Sequence, residues 1–213
     1  MLKIYATPLS ANGRKVLAVS RQLGLKAEIH DVNVYRGEGR RPEYLAVNPS
    51  GKIPTLIDGD FVLSESNAIL QYLAEAHGAN RLWSGDAKQR GKIAQWLFWE
   101  SAHWQPTLIA LLSELVGHRL LPERIPSPKH APDWSGAPVQ PILNTLEAGL
   151  SANTFLTGAE PSIADFAVAG MTTYFQAAVF PFQLFPRIAD WYARFESLGS
   201  WRDTQSPLWS RQR

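Results

Sequence analysis

Apolar and polar positions alternate in two different ways along this chain. In the first third, short strand-like runs are interleaved with helical ones. LKIYAT (2–7) alternates with a period of two and predicts a strand. ANGRKVLAVSRQLG (11–24) sets Val16, Val19, Ser20 and Leu23 on one face of a helix that Gly24 ends. AEIHDV (27–32) predicts a second strand. A single short helix joins the two, so they should pair in parallel through a right-handed crossover. A polar loop, VYRGEGRR, and a short helical stretch, RPEYLAV (41–47), come next. PTLID (54–58) and FVLS (61–64) flank Gly59-Asp60, a hairpin signal. ESNAILQYLAEAHG (65–78) is amphipathic, with Ile69, Leu70, Tyr72 and Leu73 facing inward. The order β-α-β-α-β-β-α predicts a small α/β domain ending near residue 77.

Beyond that point the strand signal stops. GANRLWSGDAK (78–88) reads as a linker. Residues 89–121 read as one long helix, which Pro106 should kink by freeing the carbonyl of Ala102. PERIPSPKHAPDWSGAP (122–138) holds five prolines and predicts a disordered connection, although Trp134 could let it cover a cleft. Helices follow at about 138–151, 162–180 and 186–198. The predicted organisation is an α/β domain over 1–77, a linker over 78–87 and an all-helical domain over 88–213.

Composition narrows the chemistry. At 45% apolar and 19% charged, the chain belongs with globular proteins and not with disordered ones. A net charge of +2 gives no reason to expect a nucleic-acid or membrane partner. With no cysteine, disulfides, thiolate metal sites and a cysteine nucleophile are all excluded. The five histidines lack metal-ligand spacing, and the Glu100/His103 pair has no second copy, so no metal is expected. The N-terminus lacks the apolar run of a signal peptide, and no stretch suits a membrane span, so a cytoplasmic protein is expected.

Three stretches could carry chemistry. In NPSGKIPTL (48–56), Pro54 opens a strand after a turn. A cis bond there would turn the main chain of Ile53 toward an extended peptide; a plain turn and strand is the alternative. In SES (64–66), Ser64 could cap the next helix, and the amides of Glu65 and Ser66 would attract a carboxylate. Glu65 could accept from an ammonium, completing a site for the head of an α-amino acid; a capped helix with one solvated acid is the alternative. In YATPLSANGRKV (5–16), Ser10 is either a helix cap or a hydroxyl that works on a group brought from outside.

This order of elements, the string NPSGKIPTL, the pair Glu65-Ser66 and the helical second half resemble the cytosolic glutathione transferases. FLTGAEPSIADFAVA (155–169) is similar to that family's second signature, with Ser162 as a cap and Asp165 three residues on. LWSGDAK stands where the family has its interdomain linker. The resemblance implies a thioredoxin-like N-terminal domain, a helical C-terminal domain, a homodimer, and glutathione as co-substrate in the first domain. On this chain Ile53, before Pro54, would pair with the cysteinyl part of glutathione. Glu65 and Ser66 would hold its γ-glutamyl end, and Lys52 would lie near its carboxylates. Where serine-type members place a histidine for the glycyl carboxylate, this chain has Gly39, and Arg40 or Arg41 would stand in. TPLSANGRKV is most similar to the serine-type arrangement, which makes Ser10 the expected donor to the glutathione sulfur. Asn12 and Tyr5 are the alternatives.

The family places its electrophile between the domains. Leu9 and Ala11 beside Ser10, with Trp104, Gln105 and Leu108 on the long helix, are the expected walls. The expected reaction is thiolate attack on a small apolar electrophile. Glutathione-dependent peroxide reduction or isomerisation on the same site, and a non-catalytic binding module, are the other readings.

Overall fold

The computed structural model describes residues 1–78 and 81–210. Residues 79–80 of the predicted linker and 211–213 of the predicted helical domain lie outside the described residues. A four-stranded mixed sheet is built from β1 (Leu2–Ala6), β2 (Ala27–Asp31), β3 (Thr55–Asp58) and β4 (Phe61–Ser64), in the order β2-β1-β3-β4. β1 and β2 run parallel, while β3 is antiparallel to both β1 and β4. The period-two pattern of β1 is realised: Leu2, Ile4 and Ala6 are buried, and Lys3 and Tyr5 take the other face. Helix α1 (Ala11–Gln22) is the crossover, α2 (Pro42–Leu45) follows two 3₁₀ turns, and α3 (Ser66–His77) closes the thioredoxin-like half.

The rest is helical: α4 (Ala87–Trp99), α5 (Gln105–Leu120), α6 (Val139–Gly149), α7 (Ile163–Thr172), α8 (Pro186–Ser197) and α9 (Gly199–Arg202). α7 is buried on every side and packs against α1, α4 and α3. Its start carries the full capping box, with Ser162 accepting from the Ala164 N–H and Asp165 from the Ser162 N–H. No helix among the described residues is long and apolar enough to cross a membrane.

Three expectations are corrected. The long helix is divided by a π turn over Glu100–Trp104, where the Gln105 N–H bonds the Glu100 carbonyl. The extra residue is absorbed immediately before Pro106, whose missing N–H makes that stretch of helix the easiest to rearrange. The helix expected over 162–180 stops at Thr172, because Thr173, Tyr174 and Phe175 bond three residues back instead of four. The proline-rich stretch is a tied-down loop: Trp134 is buried against Phe175 and Phe180, and its indole N–H donates to the Ala178 carbonyl at 3.4 Å.

Covered by the sheet on one side and helices on the other, α1 buries two cations completely. Arg14 lies 3.7 Å over the Trp201 ring and donates to Thr173, Thr204 and the Trp201 carbonyl. Burial lowers it to about 10. Lys15 turns the other way, toward α3 and the π turn.

Candidate active site

Ser10 is the N-cap of α1. Its backbone is extended, and its Oγ accepts from the Gly13 N–H at 3.3 Å. A side chain on Gly13 would strike the main chain of Thr7, so only glycine lets the helix start so close to that turn. A hydroxyl that accepts a helix N–H still holds its own proton, so capping and donating to a ligand are compatible roles. Two tyrosines border it. The Tyr174 hydroxyl accepts from the Ala11 N–H at 3.1 Å and donates to the Leu9 carbonyl at 3.4 Å. Tyr35 lies beside both Ser10 and Tyr174, and burial pushes both tyrosines above the ordinary phenol value. Tyr5 stacks on His30 at 4.4 Å and tilts onto Tyr44, on the sheet face away from α1.

The loop from Asn48 to Thr55 is organised by side chains. The Asn48 amide donates to the Lys52 carbonyl at 2.9 Å and the Thr55 hydroxyl at 3.0 Å, and its oxygen accepts from the Ser50 N–H and hydroxyl. The Tyr44 hydroxyl also donates to the Lys52 carbonyl. The Ile53–Pro54 bond is cis. Ile53 itself makes no main-chain hydrogen bond among the described residues. Gly39 packs its backbone directly on Gly51, where a Cβ would hit the Gly51 carbonyl oxygen. The guanidinium of Arg40 lies against Gly51, Lys52 is exposed, and Arg41 instead pairs with Glu38 at 3.2 Å.

Glu65 holds φ 67° and ψ 112°, a conformation that non-glycine residues rarely adopt. It is the N-cap of α3 and makes no side-chain cap bond; Ser64, the expected cap, is the last residue of β4. The first amides of α3 are therefore left for a ligand. The Ser66 hydroxyl donates to the Asn12 side-chain oxygen at 3.2 Å. A cavity of about 600 Å³ opens here, bounded by Asn12, Glu65, Ser66, Gln105, Pro106 and Ile109. Under it the buried Lys15 ammonium meets Asn67 at 2.8 Å and the Glu100 carboxylate at 3.2 Å.

The expected electrophile walls separate into two groups. Gln105 does line the cavity. Leu9 is half-buried and Ala11 buried, both on the Ser10 turn. Trp104 and Leu108 do not face the cavity. Both are fully buried, and the Trp104 indole N–H donates to the Val168 carbonyl of α7 at 3.0 Å. An aromatic with a polar N–H satisfies itself by packing on a neighbouring helix. Pro106 and Ile109 occupy the facing positions instead. Sequence reasoning also missed Lys15, Glu100 as its partner, and Tyr174. For Lys15, its place one turn after Ser10 was the available signal.

The architecture defines a class: a thioredoxin-like domain joined to a helical domain, with a cleft at their junction that has both polar and apolar walls. Residues 4–81 match the family model for the glutathione S-transferase N-terminal domain, and residues 136–194 match that for its C-terminal domain. Glutathione S-transferase F10 of Arabidopsis thaliana is 32% identical over 211 residues, covering 97% of each chain. Glutathione S-transferase 3 of Zea mays is 37% identical over 169 residues, 77% of this chain and 73% of its own. Among solved structures, glutathione transferase F7 from Populus trichocarpa superposes with a TM-score of 0.81 at 26% identity, covering 96% of this chain and 97% of its own. Bombyx mori glutathione transferase BmGSTD1 gives 0.80 at 28% identity, with 92% and 88% covered. The chain belongs to the glutathione S-transferase family of enzymes.

Proposed function

We propose that this chain binds glutathione, ionises its thiol through Ser10, and directs the thiolate at a small apolar electrophile held against α5. The observation that carries the reading is the Ser10 hydroxyl, which accepts from Gly13 and keeps its proton to give. A thiol near pKa 8.5 is only a few per cent ionised at pH 7. Lowering it two units takes about 2.7 kcal/mol of preference for the anion. One charge-assisted hydrogen bond of about 1.5–3 kcal/mol, plus about 0.3–1 from the positive end of α1, is enough.

The rest of glutathione follows from charge and free main-chain groups. The open amides at the start of α3 suit the γ-glutamyl carboxylate, and Glu65 suits its ammonium. Ile53 offers its main chain to the cysteinyl residue. Lys52 and Arg40 supply positive charge for the glycyl carboxylate. Pro106 and Ile109 give the electrophile an apolar surface, with Gln105 as a polar neighbour on the same wall. The functional division takes 1–77 and 88–213 as its domains. The enzyme acts in the cytoplasm, and as a homodimer, the dimer being supported by exposed Phe61, Val62 and Phe98, the last 74% exposed.

The test is calorimetric titration with glutathione in two buffers of different ionisation enthalpy near pH 7. The wild type is expected to release a proton on binding, and Ser10→Ala to bind without release. Binding by the wild type with no release would leave Ser10 as a cap alone.

A further inference from the structure

Ser10 is held in place by a residue 164 positions further along the chain. The Tyr174 hydroxyl pairs with the main chain on both sides of Ser10, taking the Ala11 N–H and giving its proton to the Leu9 carbonyl. Its ring is buried and meets the edge of the Trp209 indole, with centroids 4.7 Å apart. The segment bearing Trp209 is in turn tied to α5, because Arg119 donates to the carbonyls of Leu208 at 2.7 Å and Ser210 at 2.9 Å. A continuous set of contacts therefore runs from α5, through the C-terminal segment, to the turn that carries Ser10.

We infer that Tyr174 is a positioning residue for the reaction: by pairing both main-chain neighbours of Ser10, it fixes the direction in which the Ser10 hydroxyl donates. The inference rests on the reading of Ser10 as the donor to the thiolate. Ala11 N–H is one of the first-turn amides that no carbonyl of its own helix can accept. Left free, it would compete for a nearby anion and let the turn rotate. Hydrogen bonds weaken steeply as they leave linearity, so a turn that rotates loses part of the stabilisation of the thiolate. A buried tyrosine suits the task. Its hydroxyl accepts and donates at once, and burial raises its pKa, so it stays neutral across the range where the thiol titrates. Tyr35, bordering both hydroxyls, closes the group from the side of the first domain.

The experiment is an ultraviolet titration of the thiolate of bound glutathione in wild type, Ser10→Ala, Tyr174→Phe and the double variant. Tyr174→Phe is expected to raise the apparent pKa of the bound thiol by about half a unit to one unit. It should leave the affinity for the protonated thiol, measured at acid pH below both thiol pKa values, unchanged. It should weaken binding near pH 7 only as far as the pKa shift itself requires, and add nothing once Ser10 is alanine. If Ser10→Ala leaves the thiol at its wild-type pKa, the reading of Ser10 itself fails. If Ser10→Ala raises that pKa and Tyr174→Phe does not, Tyr174 only packs and the inference is wrong. A lower pKa in Tyr174→Phe, from a freed Ala11 N–H reaching the sulfur, also overturns it. Should Tyr174→Phe not fold, Trp209→Phe keeps the hydroxyl but loosens its support. A smaller rise is then expected, and no shift would count against the inference.

Discussion

The Lys15 ammonium stands 3.2 Å from each carboxylate oxygen of Glu100, and neither side chain reaches solvent. Asn67 completes the group, accepting from Lys15 at 2.8 Å and donating to Glu100 at 2.8 Å and to the Leu97 carbonyl at 3.0 Å. Three elements, α1, α3 and the π turn, are thus joined under the cavity floor. Burial lowers the lysine's pKa, and Glu100 opposes that shift. Taking two charges out of water costs about as much as their attraction returns, but removing one leaves the other unpaired. Lys15→Met is therefore expected to lose about 3–5 kcal/mol of stability, and Lys15→Met/Glu100→Leu to recover most of it. Urea unfolding of the wild type, Lys15→Met, Glu100→Leu and the double variant checks this. Additive losses would mean that the pair is not coupled.

Glu65 combines a proposed ligand contact with an unfavourable backbone. Its φ of 67° costs a side-chain-bearing residue energy that glycine avoids. Glu65→Gly should therefore be more stable than Glu65→Ala by about 1–2 kcal/mol. Both should lose glutathione affinity equally, since both lack the carboxylate. Equal stability of the two variants would show that the turn stores no strain.

Alkaline pH should unfold the protein through its tyrosines. Burial pushes Tyr35, Tyr44, Tyr174 and Tyr192 above the ordinary value, Tyr192 to about 12. In the unfolded chain they lose protons near pH 10. Above that pH the native state holds more protons than the unfolded one, so stability falls as pH rises. Arg14, lowered to about 10, acts with the opposite sign, but one guanidinium is set against four phenols. Urea midpoints measured from about pH 9 to 11 should decline, and less steeply in Tyr192→Phe. A flat profile in the wild type would contradict this account.

What was legible in the sequence is what depends on near neighbours. The alternation of β1, the hairpin at Gly59-Asp60, the turn before Pro54 and the cap at Ser10 each involve residues a few positions apart. Nothing local marks Lys15 and Glu100 as buried partners, because what covers them comes from elements dozens of residues away. The Tyr174 bond to Ala11 spans 163 positions, and no local pattern announces it. The expectation that Trp104 lines the cavity follows only from its position along the helix. Its true partner, the Val168 carbonyl, is 64 residues on. The π turn adds to the difficulty, since one extra residue rotates every later side chain by roughly 100° about the helix axis.

Adjacent residues on α5 separate packing from binding. Leu108 is fully buried, and Ile109 is 49% exposed on the cavity wall. Leu108→Ala leaves a hole in the helical core and should cost about 2–5 kcal/mol. It should leave the KM for an apolar electrophile near that of the wild type. Ile109→Ala removes surface that already meets water, so its stability should change by less than about 0.5 kcal/mol. A bound electrophile would lose contact with about two methylene equivalents, a roughly tenfold rise in KM. Steady-state kinetics with an apolar test electrophile, paired with urea unfolding of both variants, reads the two effects separately. If Leu108→Ala raises the KM and Ile109→Ala does not, the electrophile lies on the inner face of α5. Trp104 would then return as part of its wall, and the cavity beside Ile109 would serve glutathione alone.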